Sequence, residues 1–295
     1  MGSSREPTRL TRLLLLFFFF ASIFAQTIIT TTPAGTPSTS TAPSTPTPTP
    51  DAPAPPAGLG IKQDRSALAQ KRSVWSAKLR YDSAVADLFS NDDLYALAKQ
   101  AWDEMQADIE PRRVKNGRQD ANTITKKDDP GMMGLIAVGN TIYFSSSMKG
   151  GKFIYGYTLP NGQPGEVTLA LDRCQMALRT QVGEDTKPFH VNKASCAEIL
   201  ALHQYYLDPA VSDADKETLP AGMRAAAYGD GGNKKNPDAA RPYEPCGNKA
   251  DDKTTWGCAE FLDSMAIVAP PLPRGTLSNP TPRPVEITYV PVCES

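Results

Sequence analysis

The stretch Ser195-Cys196-Ala197-Glu198-Ile199-Leu200-Ala201-Leu202 decides how the rest of this chain is read. A cysteine and a carboxylate stand two residues apart at the head of an apolar run. Ile199, Leu200, Leu202, His203 and Tyr206 carry that run at helical spacing to Asp208-Pro209, where proline stops it. Asn192 to Ser195 offer capping side chains in front of it, so Cys196 and Glu198 fall in or beside the first turn of a helix. Further along come Pro245-Cys246 and then Gly257-Cys258-Ala259-Glu260-Phe261-Leu262, where a second Cys-Ala-Glu opens an apolar helical run over Ala259 to Val268.

Working outward, Ser90-Asn91-Asp92-Asp93 is an N-cap followed by acidic first-turn residues. Leu94, Leu97, Ala98, Ala101, Trp102 and Met105 then recur with helical period until Pro111. A weaker helix is expected over Val74 to Leu88. Two β-rich runs, Met133 to Val138 and Thr141 to Ser146, flank Gly139-Asn140 and read as a hairpin. Phe153 to Tyr157 is expected as a short strand and Val167 to Arg179 as a helix with Cys174 on its apolar side. Met223 to Tyr228 and Val285 to Val290 are expected strands, the latter followed by Cys293. Arg112 to Pro130 is an aperiodic loop rich in arginine and lysine; it reads as a solvated loop that is also a candidate substrate contact. His190 reads as a surface-loop histidine that is close enough in sequence to Cys196 to line a pocket instead, and His203 as a packing or surface residue.

The ends of the chain carry a different signal. Arg5, Arg9 and Arg12 precede an apolar run from Leu13 to Phe24, the pattern of a secretory signal over residues 1–25, too short for a confident membrane span. Residues 26–72 are expected as a disordered Thr/Pro/Ser-rich stalk or pro-segment; its low-complexity part, Thr27 to about Gly60, holds almost no apolar side chains to offset ordering entropy and reads as extended and open to O-glycosylation. The dibasic Lys71-Arg72 at its end is a candidate processing site. Residues 73–295 are left as one folded domain, with no membrane association expected after signal removal. The 295 residues carry a formal net charge of -1, which gives no general attraction to nucleic acid or anionic membrane.

Cys196 with Glu198, followed by Pro245-Cys246 and Cys258, resembles the signature of the zinc-dependent cytidine deaminase-like superfamily, in particular its secreted, toxin-type members. The order of elements around these residues is similar too. The resemblance implies an α/β fold: a three-layer sheet flanked by helices, preceded here by the stalk, with two helices presenting ligands from their N-terminal ends. It implies Zn2+ as cofactor, Cys196, Cys246 and Cys258 as its ligands, and Glu198 as the catalytic acid/base. The implied partner is a nucleobase-containing substrate, nucleic acid or nucleotide, acted on by a secreted, extracellular enzyme that deaminates it hydrolytically. Under this reading Cys174 and Cys293 are left to form a bridge. Three thiolates on a divalent ion leave a site of net charge about -1, which opposes forming a hydroxide; helix N-termini, each worth roughly half a positive charge, compensate. The chain departs from the family pattern where Gly247 to Gly257 separate two ligands that usually have two residues between them. Phe144, Tyr155 and Trp256 are aromatics that stack on a base or pack in the core.

The other reading is a non-enzymatic, disulfide-stapled secreted interaction module on an O-glycosylated stalk. Cysteines entering an oxidising compartment usually pair. Cys246–Cys258 closes a short loop, and Cys174–Cys196 or Cys174–Cys293 supplies a second bridge. Five cysteines cannot all pair within one chain.

Overall fold

A computed structural model of the protein describes residues 58–113, 123–149, 152–182, 189–232, 239–247, 255–280 and 282–293. The chain divides into Met1–Ala52 and Pro53–Ser295, and every described residue belongs to the second unit. The signal segment 1–25, the stalk up to residue 57, and Lys115 and Arg118 of the basic loop lie outside the described residues. In chain order the elements are β1 (Lys62–Gln63), α1 (Arg65–Ala69), β2 (Trp75–Arg80), α2 (Val85–Leu88), α3 (Asn91–Ile109), β3 (Met132–Val138) and β4 (Thr141–Ser146). Then follow α4 (Glu166–Val182), β5 (Phe189–His190), α5 (Ala197–Leu207), α6 (Asp213–Glu217), β6 (Arg224–Gly229), β7 (Arg241–Tyr243), β8 (Thr255–Trp256), α7 (Cys258–Ser264) and β9 (Glu286–Thr288).

The protein is mixed α/β. Its main sheet is open and antiparallel, seven-stranded, in the order β1-β2-β4-β3-β6-β7, with β9 sharing the outer edge of β2. The hairpin forms in the expected register: Val138 pairs with Thr141 and Leu135 with Phe144 around a turn at Gly139, whose φ of 54° suits glycine. Strand alternation then sorts the hairpin's side chains. Met133, Leu135, Ile142 and Phe144 meet α3 on one face, while Ile136, Val138 and Tyr143 meet α4, α5 and α7 on the other. Helices therefore cover both faces. α3 starts where its cap predicts: Ser90 accepts the Asp93 amide, and the Asp93 carboxylate accepts the Ser90 N–H.

Ala197 through Tyr205 of α5 are all buried, packed against the sheet and α4, with Glu198, His203 and Gln204 among otherwise apolar side chains. Gln204 donates to the Phe144 carbonyl at 2.9 Å, tying the helix to β4. At its other end Gly134 of β3 lets the first turn come close. A Cβ there would lie 2.8 Å from the Ala197 Cβ and 3.1 Å from the Glu198 amide nitrogen. The start of α5 thus rests directly on the sheet.

Several expectations are corrected. Val74 to Leu88 is not one helix: Trp75–Arg80 form strand β2, because Trp75, Ala77 and Leu79 alternate into the α3 core, and only Val85–Leu88 is helical. Phe153 to Tyr157 is not a strand but a 3-10 turn, its aromatic rings meeting edge-on with each other and with His203. α7 ends at Ser264, earlier than Val268. Ala266 takes a positive φ of 54°, and Val268 then bridges Arg224 in parallel. The folded part also begins before residue 73. Leu59, Ile61 and Ala67 are buried, and the buried Asp64 carboxylate accepts from Ala67 N, Tyr289 OH and Val292 N. This carboxylate staples residues 58–72 and the C-terminal segment together. Lys71-Arg72 consequently sits in a turn between α1 and β2 rather than at the foot of a stalk. Among the described residues, no helix is long and apolar enough to cross a membrane.

His203 is a packing residue. Its Nε2 donates to the Val292 carbonyl at 3.1 Å, and its ring lies 4.4 Å from that of Tyr157. Burial lowers its pKa from 6.5 to about 4, with the Val292 carbonyl pulling the other way. Between those pH values the unfolded chain binds a proton that the folded chain refuses, so stability falls as pH drops through this window. We expect His203→Gln, which keeps a donor for Val292, to flatten the loss by about 2 kcal/mol between pH 7 and pH 4.5. Urea midpoints of the two proteins at both pH values measure it; parallel losses would show that His203 is not the acid-sensitive group.

Candidate metal centre

Four residues from distant parts of the chain converge at the head of α5. The ligand atoms of His190, Cys196, Cys246 and Cys258 all lie within 4.8 Å of one another. Cys196 is the N-cap of α5, and Cys258 is the first residue of α7. The Cys196 and Cys246 sulfurs are 3.5 Å apart, and Cys258 Sγ lies 3.5 Å from His190 Nε2. A tetrahedral zinc with bonds of about 2.3 Å sets its sulfurs about 3.8 Å apart, so these donors have the spacing that a shared ion requires. The group can hold a metal ion.

Eleven residues separate Cys246 from Cys258 in sequence, yet the two meet. The Ala259 amide donates to the Cys246 carbonyl at 2.8 Å, and the Cys258 amide donates to Cys246 Sγ at 3.3 Å. Gly257 makes this closure possible. A Cβ on it would collide with the Cys246 carbonyl oxygen and lie 2.9 Å from the Gly247 amide nitrogen. The returning limb, β8, pairs in parallel with β5, setting His190 beside Trp256. Their rings meet edge-on at 5.0 Å, and both residues are buried. His190 is therefore not a surface-loop histidine. Its side of the cluster arises from a pairing between two-residue strands too short to leave a periodic signature. Trp256 and Phe144 are core residues, and neither lines the site.

All five cysteines are free. The bridges Cys246–Cys258, Cys174–Cys196 and Cys174–Cys293 are not formed. Cys174 Sγ instead lies 2.9 Å from Ser264 Oγ, and Cys293 is buried near Asp64 at the C-terminal staple. Among the clustered sulfurs protons are shared unevenly. Hydrogen bonding from Cys196 and Cys258 holds the Cys246 thiol far below its ordinary range. The same contact with Cys246 raises Cys196, and burial raises Cys258. Without a cation the cluster thus favours one thiolate supported by its neighbours. A divalent ion favours all three, releasing protons as it binds.

Glu198 is buried, and burial, then the charge of Cys246, raises its pKa from 4.5 to about 7. It opens with Cys196 and Cys246 onto a cavity of ≈ 590 Å³. Lys149, Asn192 and Lys193 line the same cavity, as do Tyr243 and Glu244 beyond the glycines at 231 and 232. Tyr243, with the Arg241 guanidinium 5.1 Å from its ring centre, is the aromatic in the lining, and no motif or period marks it in the sequence. Arg112 and Arg113 do not line the cavity; they pair with Asp108, and with Glu110 and Asp129. No protein-family model, curated protein or solved structure matches the chain.

Proposed function

We propose that this protein is a secreted, zinc-dependent hydrolytic deaminase of the cytidine deaminase-like type, acting on a nucleobase in a nucleotide or nucleic acid. One observation carries the reading. Three sulfurs spread across the sequence meet at one point, and the buried Glu198 carboxylate shares a cavity wall with two of them, Cys196 and Cys246. Cys196, Cys246 and Cys258 would hold the ion. When bound, zinc lowers the pKa of a water to about 7 and so supplies a nucleophile at neutral pH.

Glu198 would act as the acid/base of the site, holding a proton at its carboxylate and passing it to the ring nitrogen and then to the departing amine. The net change adds one water: the ring C–NH2 bond breaks, a C=O forms, and ammonia leaves. Burial of Glu198 keeps bulk water from competing for its proton. The cavity volume lies in the range of small-ligand pockets, and Tyr243 offers a face on which a base can stack. Lys149 and Lys193 at its wall suit a phosphate-bearing substrate. The amino-terminal pattern supports export, and an exported deaminase fits action on another cell better than nucleotide salvage.

A second reading rests on His190. If it ligates, the shell closes as three cysteines and one histidine, the pattern of structural zinc sites. Metal analysis with an ammonia-release assay on cytosine- and adenine-containing nucleotides and single strands tests the proposal. We expect about one zinc per chain and ammonia release. Zinc without ammonia release on any of these substrates would favour the structural site, and absence of both would end the metal reading.

A further inference from the structure

We infer that His190 is not a metal ligand but the hydrogen-bond donor to one, Cys258, and that the coordination shell is completed by the three cysteines alone. This rests on the zinc reading above and decides what stands at the ion's fourth position. The argument lies in the other side of the imidazole. His190 Nδ1 faces two backbone amides, Asn192 N at 3.1 Å and Ala194 N at 3.2 Å. Both are donors, so Nδ1 accepts and carries no proton. The ring proton therefore sits on Nε2, the atom 3.5 Å from Cys258 Sγ. An Nε2 that carries hydrogen has no lone pair for a metal. Metal-bound histidines show the opposite arrangement, with the remote nitrogen donating to a carboxylate or carbonyl.

The turn that creates this arrangement is held at some cost. Lys193 and Ala194 both adopt positive φ, 55° and 56°, although neither is glycine. Such residues persist only where their surroundings enforce them. Here the turn brings the amides of Asn192 and Ala194 onto one nitrogen.

With His190 as donor, N–H groups reach all three sulfurs. Asn192 Nδ2 lies 3.5 Å from Cys196 Sγ, the Cys258 amide 3.3 Å from Cys246 Sγ, and His190 Nε2 3.5 Å from Cys258 Sγ. Three donors to three thiolates offset the excess negative charge that a tris-thiolate zinc site carries. Cys196, Cys246 and Glu198 line the cavity, whereas Cys258 and His190 lie behind its wall. An ion held by the three sulfurs would therefore be reached from the side of Glu198.

The test is zinc-edge X-ray absorption with zinc titration on the folded protein, His190→Ala and His190→Gln. Wild type should show three sulfurs and one light atom, without the outer-shell scattering that an imidazole ligand produces. H190A should keep about one zinc and the same spectrum but bind zinc about 10- to 100-fold more weakly. H190Q, which restores an N–H toward sulfur, should recover most of that loss. Imidazole scattering in wild type that disappears in H190A would overturn the inference and leave the zinc site standing. So would a folded H190A, checked by circular dichroism, that binds no zinc. A wild-type protein without zinc would overturn both this inference and the function it rests on.

Discussion

Glu198→Gln is expected to leave about one zinc bound per chain while lowering kcat for deamination by about 100- to 10,000-fold. Glutamine keeps the shape of the side chain and removes its capacity to carry a proton from water to the ring. Because the carboxylate is not a ligand in this arrangement, metal content and fold should survive. The pH dependence carries a second signature. Burial raises Glu198 to about 7 in the metal-free protein; a bound cation favours the carboxylate and moves that value down. The acid limb of kcat/KM should therefore rise with pH and level off below about pH 7. In the metal-free protein the sign for stability is the reverse of that for His203. The folded chain keeps the Glu198 proton up to about 7, whereas the unfolded chain releases it near 4.5. Stability is lost as pH rises through that window, by up to about 3 kcal/mol, and Glu198→Gln should remove the loss. Turnover by E198Q near the wild-type rate would remove the mechanism. Loss of zinc in that variant would make Glu198 a ligand instead.

Gly257→Ala should lower zinc affinity by at least about 100-fold, the upper end of what losing a supporting contact costs at metal sites. The added Cβ would sit 2.5 Å from the Cys246 carbonyl carbon, so the limbs carrying Cys246 and Cys258 must part. Zinc–sulfur distances tolerate only about 0.2 Å. The same overlap costs about 1–3 kcal/mol of stability through overpacking. Gly275→Ala is the control, because a Cβ there meets nothing within 4 Å. Zinc titration and thermal unfolding of both variants read the difference. Equal zinc affinity in the two would show that the close approach of the limbs does not hold the site together.

The capped α3 and the Gly139-Asn140 hairpin were legible because their signals are local: a cap with its reciprocal carboxylate, and alternation around a two-residue turn. α5 was legible for a related reason, since its apolar run has a clear start and a proline stop. β2 was misread as helix because a short run holding Trp75, Ala77 and Leu79 satisfies either period until the neighbouring strands are known. Residues 58–72 carried too little apolar content to announce a fold. They are held by the Asp64 carboxylate, whose partners Tyr289 and Val292 lie at the far end of the chain.

By itself the sequence marked the candidate residues: Cys196 and Glu198 at a helix start, then Cys246 and Cys258, each by its immediate neighbours. Tertiary structure alone decided that they meet, and that His190 joins them. A separation of eleven residues says nothing about distance in space. The two cysteines adjoin because Gly257 has no side chain to keep the Cys246 carbonyl away, and His190 arrives because β5 pairs with β8. Both are contacts between segments remote along the chain, whose closeness is set by packing rather than by any local preference.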